Sequence, residues 1–83
     1  MKSDSLRPIR HIAADIMHAW GKPYFGAKPY IEAMLFLNTI EDRFIADSAE
    51  SVVEHFLSNA STFRGEQART LKAELKAHLG RKK

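Results

Sequence analysis

The sequence predicts a small all-α domain: a compact bundle of four short helices, or five if the second one breaks. Three observations carry that expectation. Apolar residues recur at i, i+3, i+4 and i+7 in four separate windows, the spacing that lines up side chains on one helical face. Each window is bounded by Gly, by Pro or by a run of Ser, Thr and Asn. No segment alternates apolar and polar residues in the manner of a half-buried strand.

The first helix is expected over Arg7–Trp20, with Ile9, Ile12, Ala13, Ile16 and Trp20 on its apolar face. Ser3, Asp4 and Ser5 offer caps, Pro8 suits a first turn, and Gly21 and Pro23 end the helix. Residues 21–30 then place two prolines and two glycines around the aromatic pair Tyr24 and Phe25, which reads as an ordered turn. Pro29 opens the second helix. Tyr30, Ala33, Met34, Leu37, Ile40 and Phe44 keep helical spacing to its end, and Thr39 allows a break near Asn38. For the third helix, Asp47 is the expected N-cap and Glu50 its partner three residues on. Ala49, Val52, Val53, Phe56, Leu57 and Ala60 form its stripe, and the polar run 58–62 ends it. The fourth helix spans Arg64–Leu79, with Ala68, Leu71, Leu75 and Leu79 inward and Gly80 as the C-cap. Residues 1–83 make a single domain, in which 1–6 and 81–83 are expected to fray.

Composition narrows the class. Hydrophobic residues make up 45% of the chain and charged residues 28%, which suits a globular fold. A domain of this size buries only about 60% of the surface its unfolded chain exposes, so each apolar position matters. The absence of cysteine removes disulfides, thiolate zinc sites and thiol nucleophiles, and it favours a reducing cytoplasm. No apolar run approaches the roughly 20 residues that span a bilayer, and Met1 to Arg10 does not resemble a signal peptide. The net charge of +3 is unevenly spread. Residues 40–60 set Arg43 alone against Glu41, Asp42, Asp47, Glu50 and Glu54. Residues 61–83 set seven cations against Glu66 and Glu74, so an acidic middle is followed by a basic end.

Three constellations carry chemistry. His11, Asp15 and His18 share a helix face at spacings that suit metal ligands, but that face lies opposite the Ile9/Ile12/Ile16 stripe and is read as solvated. His55 and His78 stand without an acid or a nucleophile at a suggestive spacing and are expected at the surface or rim. Trp20, Tyr24, Phe25 and Tyr30 crowd the aromatic turn. Such residues either close the end of a small core, the favoured role, or anchor an interface, with Tyr24 the member expected to stay exposed. Finally, Arg69, Lys72 and Lys76 fall within about 60° on the fourth helix and flank its apolar face. With Arg64, and with Arg81, Lys82 and Lys83 beyond, they form a basic strip that could meet phosphates. The competing reading pairs these cations with Glu50 and Glu54 of the third helix. A helix-turn-helix over the last two helices fits poorly, because the 59–63 connection is long and lacks a glycine in the turn.

The run Lys22 to Met34, with Lys-Pro-Tyr-Phe-Gly-Ala-Lys-Pro-Tyr at its start, is followed by Asp47-Ser48-Ala49, Phe56 to Ala60, Phe63-Arg64-Gly65-Glu66 and Ala68-Arg69. Over residues 9–77 this order resembles a group of small helical proteins of uncharacterised function encoded by bacteria and their phages. The resemblance implies a freestanding bacterial or phage product and brings no catalytic residues with it.

No phosphate loop, nucleophile elbow or HExxH pattern is present, so the expectation is a protein that is not an enzyme and uses no cofactor or metal. A protein-binding module is expected, with Tyr24 and Phe25 as contact residues. By analogy with other small phage accessory proteins, it would act as an inhibitor of a host defence system, as anti-CRISPR proteins do. The alternative is a small nucleic-acid-binding protein using Arg69, Lys72, Lys76, Arg81, Lys82 and Lys83. The expected partner is thus an unidentified protein, or nucleic acid in the alternative, with no membrane and with room for self-association.

Overall fold

The computed structural model describes residues 6–81. Four helices form: α1 (Ile9–Ala19), α2 (Lys28–Met34), α3 (Ala49–Ser58) and α4 (Glu66–Arg81). Between α2 and α3 the chain makes a small antiparallel hairpin, β1 (Arg43–Phe44) and β2 (Asp47–Ser48), with Arg43 opposite Ser48 and Phe44 opposite Asp47. The fold is therefore mostly helical rather than all-α. α1 packs against α2 and α4, and α3 packs against the same two helices. The radius of gyration is 11.7 Å, close to the ~12 Å typical of a folded chain this long.

The core is the meeting point of the stripes read from the sequence, joined by Ile31, which lay outside them. Ile9, Ile12 and Ile16 of α1, Ile31 and Met34 of α2, Val53 and Phe56 of α3, and Leu75 of α4 are all buried. Trp20 meets Phe56 edge-on at 6.4 Å and stacks on Phe63 at 4.9 Å, closing one end of that core. Both geometries are favoured by the charge distribution of aromatic rings.

Several boundaries differ from the expectation, each for a local reason. The second helix stops at Met34, short both of Phe44 and of the break near Asn38 that Thr39 allowed. There its bonding tightens, with the amides of Phe36 and Leu37 turning to the carbonyls of Ala33 and Met34, both at 3.0 Å. The carbonyls of Leu37 and Asn38 then accept the amides of Arg10 and Ile9, at 2.8 and 2.9 Å. These bonds satisfy donors at the start of α1, whose N-cap is Pro8 and has no side-chain cap. The expected caps Ser3, Asp4 and Ser5 lie outside the described residues.

The sequence does not announce the hairpin, because its two-residue connection, Ile45-Ala46, has none of the Gly, Asn or Asp that mark such turns. Ile45 takes φ +58° there, a left-handed conformation that a β-branched residue adopts only under strain. The N-cap of α3 is Ser48, not Asp47, and its Oγ accepts the Ser51 amide at 3.1 Å. Asp47 is drawn into β2 instead. Gly80 lies within α4 rather than capping it. The glycine that needs its freedom is Gly65, at φ +108°, in the turn that launches α4. Of the ends expected to fray, residues 1–5, Lys82 and Lys83 lie outside the description, while the backbone of Arg81 continues α4. No described helix is long and apolar enough to cross a membrane.

Candidate interaction surfaces

The aromatic turn divides its four side chains between two roles. Trp20 and Tyr30 are half-buried and pack against the core, with Tyr30 also stacked on His55 at 5.3 Å. Tyr24 and Phe25 face outward, and the more exposed is Phe25 at 78%, against 46% for Tyr24. Tyr24 is exposed as expected, but Phe25 is exposed further. The Tyr24 ring folds back over Gly26, where an added Cβ would come within 2.6 Å of Tyr24 Cε2. Phe25, 5.1 Å from Tyr24 between ring centres, is left on the outside. The turn is ordered by its backbone, since the Ala27 amide donates to the Tyr24 carbonyl at 2.8 Å.

A second apolar surface lies where the chain leaves α2 and turns through the hairpin. Phe36, just past α2, is 73% exposed, and its ring lies 5.5 Å from that of Phe44 on β1. Ile45, next in the chain at the hairpin tip, is 87% exposed. Neither Phe36 nor Ile45 belongs to a helical stripe, but neither do the buried Ile31 and Phe63, so a place off the stripes gives no signal of exposure.

The basic strip of α4 flanks the buried residues Ala68, Leu71 and Leu75 as its spacing implied. Arg64, Arg69 and Lys72 line a concavity of about 320 Å³ together with Phe63 and Gly65. Lys72 lies over the Phe63 ring at 5.8 Å. Its ammonium is held below the ordinary lysine range by burial first, then by the neighbouring charges of Lys76 and Arg64. Among the described residues, the ion pairs within 4.0 Å are those of Arg7 with Asp15 and Glu74, and none includes Glu54 or the four cations on the strip. Lys82, Lys83 and the Arg81 side chain are outside the description.

The histidines separate as well. His11 and His18 are exposed, but Asp15 between them accepts Arg7 Nη1 at 2.7 Å. No group of three His, Cys, Asp or Glu among the described residues is arranged to hold a metal ion. Arg7 also grips Glu74 through two bonds, Nε to Oε1 at 2.9 Å and Nη2 to Oε2 at 2.8 Å. Those carboxylates hold the guanidinium in its charged form, Glu74 more than Asp15. His55 is exposed as expected and donates from Nδ1 to the Ser51 carbonyl at 2.8 Å. His78 is a correction: it is buried, not at the rim, and donates from Nε2 to the Arg7 carbonyl at 2.7 Å. That carbonyl accepts only, so it selects the tautomer. His78 floors a second cleft of about 320 Å³, lined by Leu6, Pro8, Asn38, Thr39, Ile40 and Glu41. The exposed carboxylate of Glu41 is the ionisable group it adds to that imidazole.

No family model, curated protein or solved structure matches the chain.

Proposed function

We propose that this chain is a non-enzymatic, protein-binding module that works by presenting exposed aromatic and aliphatic side chains on a rigid helical frame. The observation that carries the reading is the outward placement of Phe25 and Phe36, each about three-quarters exposed. Covering a phenylalanine is worth about 1.5–3 kcal/mol, and aromatic residues of this kind dominate the energy of protein interfaces. In a chain with so small a core, two such rings left in solvent forgo stabilisation that a partner surface would supply. Tyr24 and Ile45 extend the two surfaces. The non-enzymatic part of the reading rests on the sequence, which carries no motif for nucleophile, phosphate loop or metal ligation. Its resemblance to phage-encoded proteins extends the proposal to an accessory protein that inhibits a host defence system.

Substitution separates this role from a packing role. Phe25→Ala and Phe36→Ala should each leave helical circular dichroism and the melting temperature within a few degrees of the original, because these side chains contribute little to the core. Both should weaken capture of the protein partner at least tenfold, the ordinary cost of an interface anchor. Trp20→Ala provides the contrast and should lower stability by several kcal/mol. Two phenylalanine variants that unfold, or that fold and capture the partner undiminished, would refute the proposal.

A further inference from the structure

The second surface with a chemistry of its own is the cationic flank of α4, and it stands independently of the aromatic one. We infer that Arg64, Arg69, Lys72 and Lys76 form a docking face for the sugar–phosphate backbone of duplex DNA, bound without reading its sequence. Three observations converge on that occupant.

First, the four cations are concentrated and, among the described residues, without an ion-pair partner. Arg64, Arg69 and Lys72 line one concavity of about 320 Å³, and Lys76 follows Lys72 one turn along the helix. None has a carboxylate within 4.0 Å among the described residues. Of the two acids on that helix, Glu74 is turned away, gripped by Arg7 of the segment before α1. At about 100° per residue, Glu74 lies on the opposite flank of the buried face from Arg69, Lys72 and Lys76. The mutual repulsion felt by Lys72 from Lys76 and Arg64 is what a polyanion would relieve.

Second, the spacing is that of a backbone reader. With a rise of about 1.5 Å per residue, Arg69, Lys72 and Lys76 sample roughly 10 Å of helix axis in two steps of about 4.5 and 6 Å. Duplex DNA offers a charge about every 3.4 Å along each strand, so several phosphates fall within reach of that row.

Third, among the described residues that line the concavity there is no open aromatic ring for a base. Binding of single strands relies on stacking platforms. Here the one ring in the concavity, Phe63, is buried, stacked on Trp20 and covered by Lys72. Cations without a stacking ring suit paired bases and continuous phosphate rows. Exposed Glu66, about 60° round the helix from Arg69, opposes the strip from the same helix.

The test is fluorescence anisotropy of a labelled 20-base-pair duplex with the full chain at about 50 and 200 mM KCl. Four phosphate contacts give a log–log salt slope of about −3.6, so micromolar binding at the lower salt should weaken roughly 150-fold at the higher. Scrambling the duplex sequence should change nothing. Arg69→Glu and Lys72→Glu should each weaken binding at least tenfold with helical dichroism intact, whereas Lys22→Glu, an equal charge change elsewhere, should have a much smaller effect. Arg69→Gln, which keeps an uncharged side chain on an exposed helical position, should reduce the slope by about 0.9. Glu66→Gln should tighten binding. Absence of binding at 50 mM KCl, a signal independent of salt, or equal loss in Lys22→Glu would overturn the proposal. So would tighter binding of the matched single strand, or equal affinity for a labelled poly-glutamate of the same charge, which would assign the face to acidic proteins.

Discussion

Asp42 sits where three segments meet, and its carboxylate shows how single residues shape this fold. Oδ2 accepts the amides of Asn38 and Thr39 at 2.7 and 3.2 Å, while the Asp42 carbonyl accepts the Ala49 amide at 2.9 Å. The backbone bond from Asn38, then that from Thr39, holds the carboxyl below the ordinary aspartate range. A folded-state value below the unfolded one means that the ionised form stabilises the native state above about pH 4, the unfolded value. That contribution is lost as the pH falls through the folded value. Asp42→Ala should therefore cost about 1–2 kcal/mol in urea unfolding at neutral pH, the worth of two such bonds. The gap between variant and original should narrow below pH 4, and a gap independent of pH would contradict the assignment. Little of this was legible beforehand, because Asp42 counted only as one member of an acidic stretch. The burial of His78 is illegible for a related reason: its partner is a backbone carbonyl 71 positions away, which residue spacing does not reveal.

At the scale of elements, the long periodic stripes of α1, α3 and α4 appear in the structure, as does the end of α3 at the polar run from Ser58, while other ends differ. Stripes are legible because burial of a whole face outweighs any single residue's preference. Ends depend on caps and turns, where one hydrogen bond decides. Ser48 caps α3 while Asp47 pairs in the hairpin, so Ser48→Ala should cost about 1 kcal/mol and Asp47→Ala much less, measured by chemical denaturation. The reverse order would restore Asp47 as the cap. Gly80 offers a second discrimination. It is helical, without positive φ, and a Cβ there would meet nothing within 4 Å. Gly80→Ala should thus stabilise the protein by about 0.5–1 kcal/mol, raising the melting temperature by a few degrees. Destabilisation by that change would mean that the glycine terminates the helix after all. The hairpin was illegible because Ile45 occupies a turn position that glycine or asparagine would ordinarily announce.

On the scale of the whole molecule, four helices surround one core, and what remains outside it differs in kind on different surfaces. Apolar rings stand out at Phe25 and Phe36, and cations line α4 around Arg69 and Lys72. The basic strip was readable from helical spacing, because all its members sit on one regular element. Phe36 and Ile45 were not, since their exposure follows from the early end of α2 and the strained turn between β1 and β2. The central claim is that the outward rings meet a protein. It is tested most directly by placing the photoreactive p-benzoylphenylalanine at position 25, and separately at 36, in the full chain expressed in bacterial cells. Position 14, an exposed alanine on α1, serves as the reference. Irradiation should give a discrete protein adduct from positions 25 and 36 and none from 14; an adduct of twice the chain's own mass would make the partner a second copy. Positions 25 and 36 that yield no adduct, or the same faint ladder as position 14, would contradict the account.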